Sequence, residues 1–116
     1  MSYYLIFVHL FHIILIGGLF IYVGIKKTSL KSYFYNWLFG LGIFLFIYHG
    51  YKTYLKFINK KNPWINLFHM FIVSPLLIYI GLNKGKVNNL YYELLLMLGF
   101  AAIGYHTYYL LLDIQM

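Results

Sequence analysis

The sequence predicts an all-α integral membrane protein: a four-transmembrane-helix up-down bundle built from a tandem duplication of a two-helix hairpin. Three observations lead to this prediction. Four apolar runs each have about 20 residues, which is the length that a helix needs to cross a bilayer. Only 9% of the residues are charged and 63% are hydrophobic, whereas an ordinary soluble domain carries about 25% charged residues. The second half of the chain also repeats the first half at a fixed spacing.

Each apolar run is predicted to form one membrane-spanning helix. Backbone groups in lipid are satisfied only in helices or closed barrels, and these runs lack the alternation of a barrel strand. Short polar loops separate the runs, so consecutive helices should be antiparallel. Proline is favoured in the first turn of a helix, and Pro63 stands at the predicted start of the third one. The predicted spans are 4–25, 33–55, 64–82 and 90–112.

The repeat appears when the sequence is shifted against itself by 57 residues. Of the 46 pairs from 10/67 to 55/112, 16 are identical, and the alignment needs no gap. Shared apolar composition alone would give roughly a third of that number. We therefore predict a single membrane domain, 1–116, with internal repeat 1 at about 4–57 and internal repeat 2 at about 61–114.

Histidines within the spans are retained in both repeats. His12 aligns with His69, and His49 aligns with His106. Ionisable groups at membrane depth are costly, so such residues indicate a functional site. At a rise of 1.5 Å per residue, all four are expected in one layer, near the side that holds both termini and the middle loop.

Three other polar residues of the spans are assigned lesser roles. His9 lies at the same end as the four histidines, but it aligns with Asn66 and so stands outside the matched set. Asp113 ends the last span, where we expect it to neutralise a lysine or to hydrogen-bond a histidine or its water. Glu93 begins the fourth span, where the helix dipole favours a carboxylate.

Residues kept in both repeats lie on single helical stripes, which are predicted to face the bundle interior. The stripes contain His12, Leu19 and Tyr22 in the first span and Tyr35, Leu38, Gly42 and His49 in the second. Gly42 and its counterpart Gly99 would let a backbone or a flat ligand approach closely. Tyr48 and Tyr105 precede histidines, so they are candidates for hydrogen-bond partners or redox-active phenols.

Residues that weaken a helix occur at the same depth in both repeats. Gly17 and Gly18 in the first repeat align with Ser74 and Pro75 in the second. Proline inside a span removes one backbone donor, and glycine lowers helix propensity. The pattern predicts a kink that is used twice.

Four imidazoles in one membrane layer predict a bound cofactor, because imidazole binds haem iron, copper, zinc and non-haem iron. We expect haem b, held by His12 with His69 or by His49 with His106, in a protein that transfers electrons or senses a ligand. The expected partners are the lipid bilayer, a membrane quinone or another redox partner, and a second copy of the chain. This layout is similar to that of small four-helix membrane cytochromes of b type, although no specific motif is shared.

Two alternatives stay open. The same four histidines could bind a transition metal or line a metal or proton permeation path. They could instead hydrogen-bond between the helices of a structural membrane protein, for example in a virus envelope. Nucleic-acid binding is not expected, because the nine lysines form no basic stripe on one face. Cysteine is absent, and no hydrolase, P-loop or dinucleotide motif occurs, so the sequence assigns no catalytic residue.

Overall fold

The computed structural model describes residues 3–115, which form helices and short connections without any strand. The helices are α1 (Tyr3–Ser29), α2 (Tyr33–Ile58), α3 (Trp64–Leu82) and α4 (Asn89–Gln115). Each coincides with one predicted apolar run. Among the described residues, α1, α3 and α4 are long and apolar enough to cross a membrane. The 26 residues of α2 also provide the length, but the tyrosines, lysines and histidine of this helix lower its mean hydropathy.

Two helices contain a π turn, in which backbone hydrogen bonds join residues five apart. The turns are His12–Ile16 in α1 and His69–Val73 in α3. In each, the next residue, Gly17 or Ser74, donates its N–H to the carbonyl five residues before it. The predicted kink positions therefore follow the two π turns directly. Pro75, which has no N–H to donate, comes next in α3. Such π turns are frequent at functional sites.

Backbone contacts group the helices into two units. Unit 1 contains residues 3–27 and 88–115, and unit 2 contains residues 28–87. Unit 1 therefore packs α1 against α4, and unit 2 packs α2 against α3. The helices that pack together within a unit come from different repeats of the sequence.

Unit 1 is an antiparallel pair held together at small residues. A Cβ atom added at Gly24 would lie 2.8 Å from the Leu96 Cβ, and one added at Gly99 would lie 2.9 Å from the Ile21 Cγ1. Residues late in α1 therefore meet residues early in α4. The closely packed core of this unit consists of Phe20, Val23, Tyr92 and Leu95.

Unit 2 is packed in the same way. A Cβ atom added at Gly81 would lie 2.6 Å from the Phe39 backbone nitrogen, and one added at Gly42 would lie 2.7 Å from the Ile78 Cγ1. The fully buried Ser74 hydroxyl donates to the Gly42 carbonyl oxygen at 2.6 Å. The apolar core of the pair consists of Leu30, Tyr35, Leu38, Val73, Leu77 and Ile80. Close helix approach at glycine is therefore the main packing device in both units.

The predicted interior stripe is buried in α2 but not in α1. The buried residues of α2 are Tyr35, Leu38, Gly42 and His49, as the repeat predicted. In α1, by contrast, Tyr22 keeps 44% of its surface exposed. At about 100° per residue, Tyr22 lies on the opposite face from the buried Phe20. Retention in both repeats therefore did not require burial at this position.

Candidate histidine site

Unit 1 gathers three histidines and one carboxylate at one end of the helix pair. His9 and His12 are three residues apart on α1, and His106 and Asp113 are seven apart on α4, so each pair shares a helical face. The His9 Nε2 lies 2.8 Å from the Asp113 Oδ2, and its Nδ1 lies 3.0 Å from the His106 Nδ1. The rings of His12 and His106 stack with centroids 4.2 Å apart and planes inclined by 18°. His9 is therefore the link between the carboxylate and the stacked pair.

The protons in this cluster are constrained by the hydrogen bonds. A carboxylate only accepts, so the Nε2–H of His9 donates to Asp113 when that residue is ionised. If His9 is neutral, its Nδ1 then accepts from the Nδ1–H of His106. If His9 carries both protons, it donates to Asp113 and to His106 together. His9 is buried, whereas 24% of the Asp113 side chain remains exposed and His106 is half-buried, so the middle member of this chain of groups is the one most shielded from the surface.

Unit 2 has a stacked pair with the same geometry but a different third member. The rings of His49 and His69 lie 4.2 Å apart with planes inclined by 11°. Asn66 occupies the position that corresponds to His9, and its Nδ2 donates to the His49 Nδ1 at 2.8 Å. Asn66 is only 4% exposed, and its Oδ1 has no hydrogen-bond partner among the described residues. An amide cannot carry a proton onward as an imidazole does, so the two units differ chemically.

The histidines that begin the π turns have a defined tautomer. The Nδ1–H of His12 donates to the Val8 carbonyl oxygen at 2.7 Å, and that of His69 donates to the Ile65 carbonyl oxygen at 2.7 Å. When these rings are neutral, Nε2 is therefore the nitrogen with the lone pair. A backbone hydrogen bond of this kind also fixes the orientation of an imidazole.

The four predicted histidines are brought together as two stacked pairs, His12 with His106 and His49 with His69. The expectation that Asp113 bonds a histidine is confirmed by the contact to His9. His9, which stands outside the matched set of the repeat, bonds both Asp113 and His106. One signal could have revealed it, since a polar residue stands one helical turn before the first histidine in both repeats.

The other predicted site residues are two tyrosines and two glycines. Tyr48 and Tyr105 meet the neighbouring rings of His49 and His106 edge-on, with centroids 5.2 and 5.1 Å apart. Their proposed roles as hydrogen-bond partners or redox-active phenols stay predictions. Gly42 and Gly99 both lie against a neighbouring helix. The expectation that these glycines let another backbone approach closely is thus confirmed.

Within each unit, the arrangement of the histidines limits which cofactor they could hold. Among residues 3–115, no group of three or more His, Cys, Asp or Glu side chains is arranged to hold a metal ion. Axial histidines bind haem iron from opposite faces of a porphyrin, each through a ring nitrogen aimed at the metal, so the porphyrin lies between the two rings. Stacked rings 4.2 Å apart do not admit one between them. The expected ligand pairs, His12 with His69 and His49 with His106, each combine both units and stay a prediction.

No protein-family model, curated protein or solved structure matches the chain. Function is therefore inferred from the chemistry of the histidine clusters.

Proposed function

We propose that the chain is a multi-pass membrane protein whose unit 1 transfers protons through His106, His9 and Asp113. The observation that carries the proposal is the pair of contacts made by His9, at 2.8 Å to the carboxylate and 3.0 Å to the second imidazole. Both distances suit hydrogen bonds that can carry a proton. The partly exposed carboxylate provides exchange with water, and buried His9 connects it to half-buried His106.

The transfer needs only two proton hops along existing hydrogen bonds. In the starting state, His106 carries a proton on both ring nitrogens and donates its Nδ1–H to neutral His9, and His9 donates its Nε2–H to ionised Asp113. One proton moves from the His106 Nδ1 to the His9 Nδ1, and another moves from the His9 Nε2 to the Asp113 carboxylate. Asp113 is then protonated, His106 has lost one proton and His9 has changed tautomer. The net result is the movement of one positive charge from His106 to Asp113, and the reverse hops carry it back.

The duplication supplies a natural control for this mechanism. Unit 2 retains the stacked histidines but has Asn66 in place of His9. An Asn at position 9 could still donate to the ring of His106, as Asn66 does to that of His49. It could not accept a proton at one atom and release another elsewhere. His9→Asn should therefore interrupt proton transfer while it preserves the packing of α1 on α4.

The experiment compares proton flux into liposomes that contain the purified protein. A potassium diffusion potential drives protons inward, and a trapped pH-sensitive dye reports their entry. We expect flux above that of empty liposomes, and a loss of at least about tenfold in His9→Asn and in Asp113→Asn. Glu93→Gln is the matched control, because it neutralises the other carboxylate, which is exposed and bonded to Asn89. Equal flux from wild type and His9→Asn, or wild-type flux no greater than that of empty liposomes, would overturn the proposal.

We also propose that the membrane domain is a four-span bundle produced by tandem duplication. This is supported by the buried positions, which recur at the spacing of the sequence repeat. Residues 17, 20, 23 and 24 of α1 are buried, and so are residues 74, 77, 80 and 81 of α3. Residues 35, 38 and 42 of α2 are buried, and so are residues 92, 95 and 99 of α4. In this proposal α2 spans the membrane with the others. Cysteine labelling from each side of the membrane, at positions in the three loops, would test it.

A second candidate function is the binding of haem b or a transition metal. The observation that favours it is the Nδ1–H···O=C hydrogen bond of His12 and of His69, since metal-binding histidines are commonly oriented in this way. An absorption spectrum of the detergent-purified protein, oxidised and reduced, would test it together with metal analysis. A Soret band lost in His12→Ala/His69→Ala or in His49→Ala/His106→Ala would support haem and a redox partner. A colourless, metal-free protein from haem-replete cells would exclude this candidate.

A further inference from the structure

The net positive charge of the chain is located in unit 2. Both carboxylates, Glu93 and Asp113, lie in unit 1, where they balance Lys26 and Lys27. Unit 2 contains no Asp or Glu, and its seven lysines are Lys31, Lys52, Lys56, Lys60, Lys61, Lys84 and Lys86. No acidic side chain of this unit can therefore neutralise them, so the unit attracts external anions.

Three of these lysines surround a crevice at the C-terminal end of α2. The crevice has a volume of about 240 Å³ and is lined by Lys52, Leu55, Lys56, Asn59 and Lys61. Lys52 and Lys56 are four residues apart on one helical face, where like charges repel each other. Both are half-buried, which adds to the cost of their proximity.

Local structure holds these groups in place. Lys61 is brought back toward α2 by the turn that ends the helix, in which its N–H donates to the Lys56 carbonyl oxygen at 2.8 Å. Lys60 has a φ of 56° in this turn, as in a Schellman ending. Within α2, the Lys52 ammonium lies 6.0 Å from the centre of the Tyr48 ring. The lysines thus converge on one site from a helix and from the segment that follows it.

We infer that this crevice binds the phosphate group of an anionic phospholipid. Lysine ammonium groups bind phosphate as point charges, and three of them around one crevice attract its negative charge. The inference rests on the proposed membrane placement of α2, in which the end of the helix meets the headgroup layer. Leu55 provides an apolar wall for the part of the lipid next to the phosphate.

The experiment uses isothermal titration calorimetry on the purified protein in a neutral detergent. The probes are short-chain phosphatidylglycerol, short-chain phosphatidylcholine and inorganic phosphate. The test variant is Lys52→Gln/Lys56→Gln/Lys61→Gln. The control variant is Lys31→Gln/Lys84→Gln/Lys86→Gln, which removes the same charge from the same unit outside the crevice. Lys52 and Lys56 are half-buried and the other four lysines are exposed, and circular dichroism checks that helix content is unchanged.

We expect phosphatidylglycerol to bind the wild type and the control variant, with at least about a tenfold weaker affinity in the test variant. Binding of the zwitterionic lipid should be weaker than that of the anionic one. Equal weakening in both variants would overturn the inference, because it would indicate attraction by overall charge. Inorganic phosphate that binds as tightly as phosphatidylglycerol would also overturn it in favour of a soluble anion. Proton flux is measured separately, so failure of the lipid site leaves the result for His9 unaffected.

Discussion

Close approach of α2 and α3 at Gly81 can be tested by adding a single methyl group. In Gly81→Ala, the new Cβ would lie 2.6 Å from both the Phe39 backbone nitrogen and the Tyr35 carbonyl oxygen. Both are atoms of the α2 backbone, so they cannot rotate away as a flexible side chain would. Overpacking of this kind costs about 1–3 kcal/mol, while replacing glycine within a helix returns about 0.5–1 kcal/mol. We therefore expect a net loss of roughly 1–2 kcal/mol in the free energy of unfolding.

Gly40→Ala is the matched control, because a Cβ at Gly40 meets nothing within 4 Å. Here only the helix-propensity term applies, so stability should rise by about 0.5–1 kcal/mol. The assay is reversible unfolding in mixed micelles by denaturing detergent, followed by circular dichroism. Because the helix-propensity gain applies to both variants, the difference between them should equal the overpacking cost of about 1–3 kcal/mol. If Gly81→Ala proves as stable as Gly40→Ala, α2 and α3 do not pack through Gly81.

Three further substitutions can be measured by the same unfolding assay. Ser74→Ala removes the buried hydrogen bond to the Gly42 carbonyl and should cost about 1 kcal/mol; no loss of stability would contradict that bond. Lys60→Gly replaces a residue at φ 56° by one without a Cβ and should add about 1 kcal/mol. Asn66→Leu removes a buried amide whose oxygen has no partner among the described residues, but it also leaves the His49 Nδ1 without this donor. We therefore expect a loss of about 1–3 kcal/mol in the free energy of unfolding. A gain in stability would show that burying the unpaired Asn66 Oδ1 costs more than losing the hydrogen bond to His49.

The sequence alone determined the helices and the residues that repeat. Hydrophobic runs of about 20 residues with short polar loops leave few alternatives to helices, and the four helices lie where the runs predicted. The alignment of the repeats also identified four histidines that come together in pairs. Within α2, the stripe kept by the repeat is the stripe that is buried. These features are local or periodic, so a linear pattern records them.

Which side chains meet was decided only by the tertiary structure. His9 and Asp113 are 104 residues apart in the chain, and no local pattern relates them. They come together because α1 packs antiparallel to α4, so that the start of one helix meets the end of the other. Glycines such as Gly24 and Gly99 allow α1 and α4 to pack closely. This close packing brings the rings of His12 and His106 into contact. The sequence thus determined which polar groups lie within the helices, whereas helix packing determined which of them form hydrogen bonds.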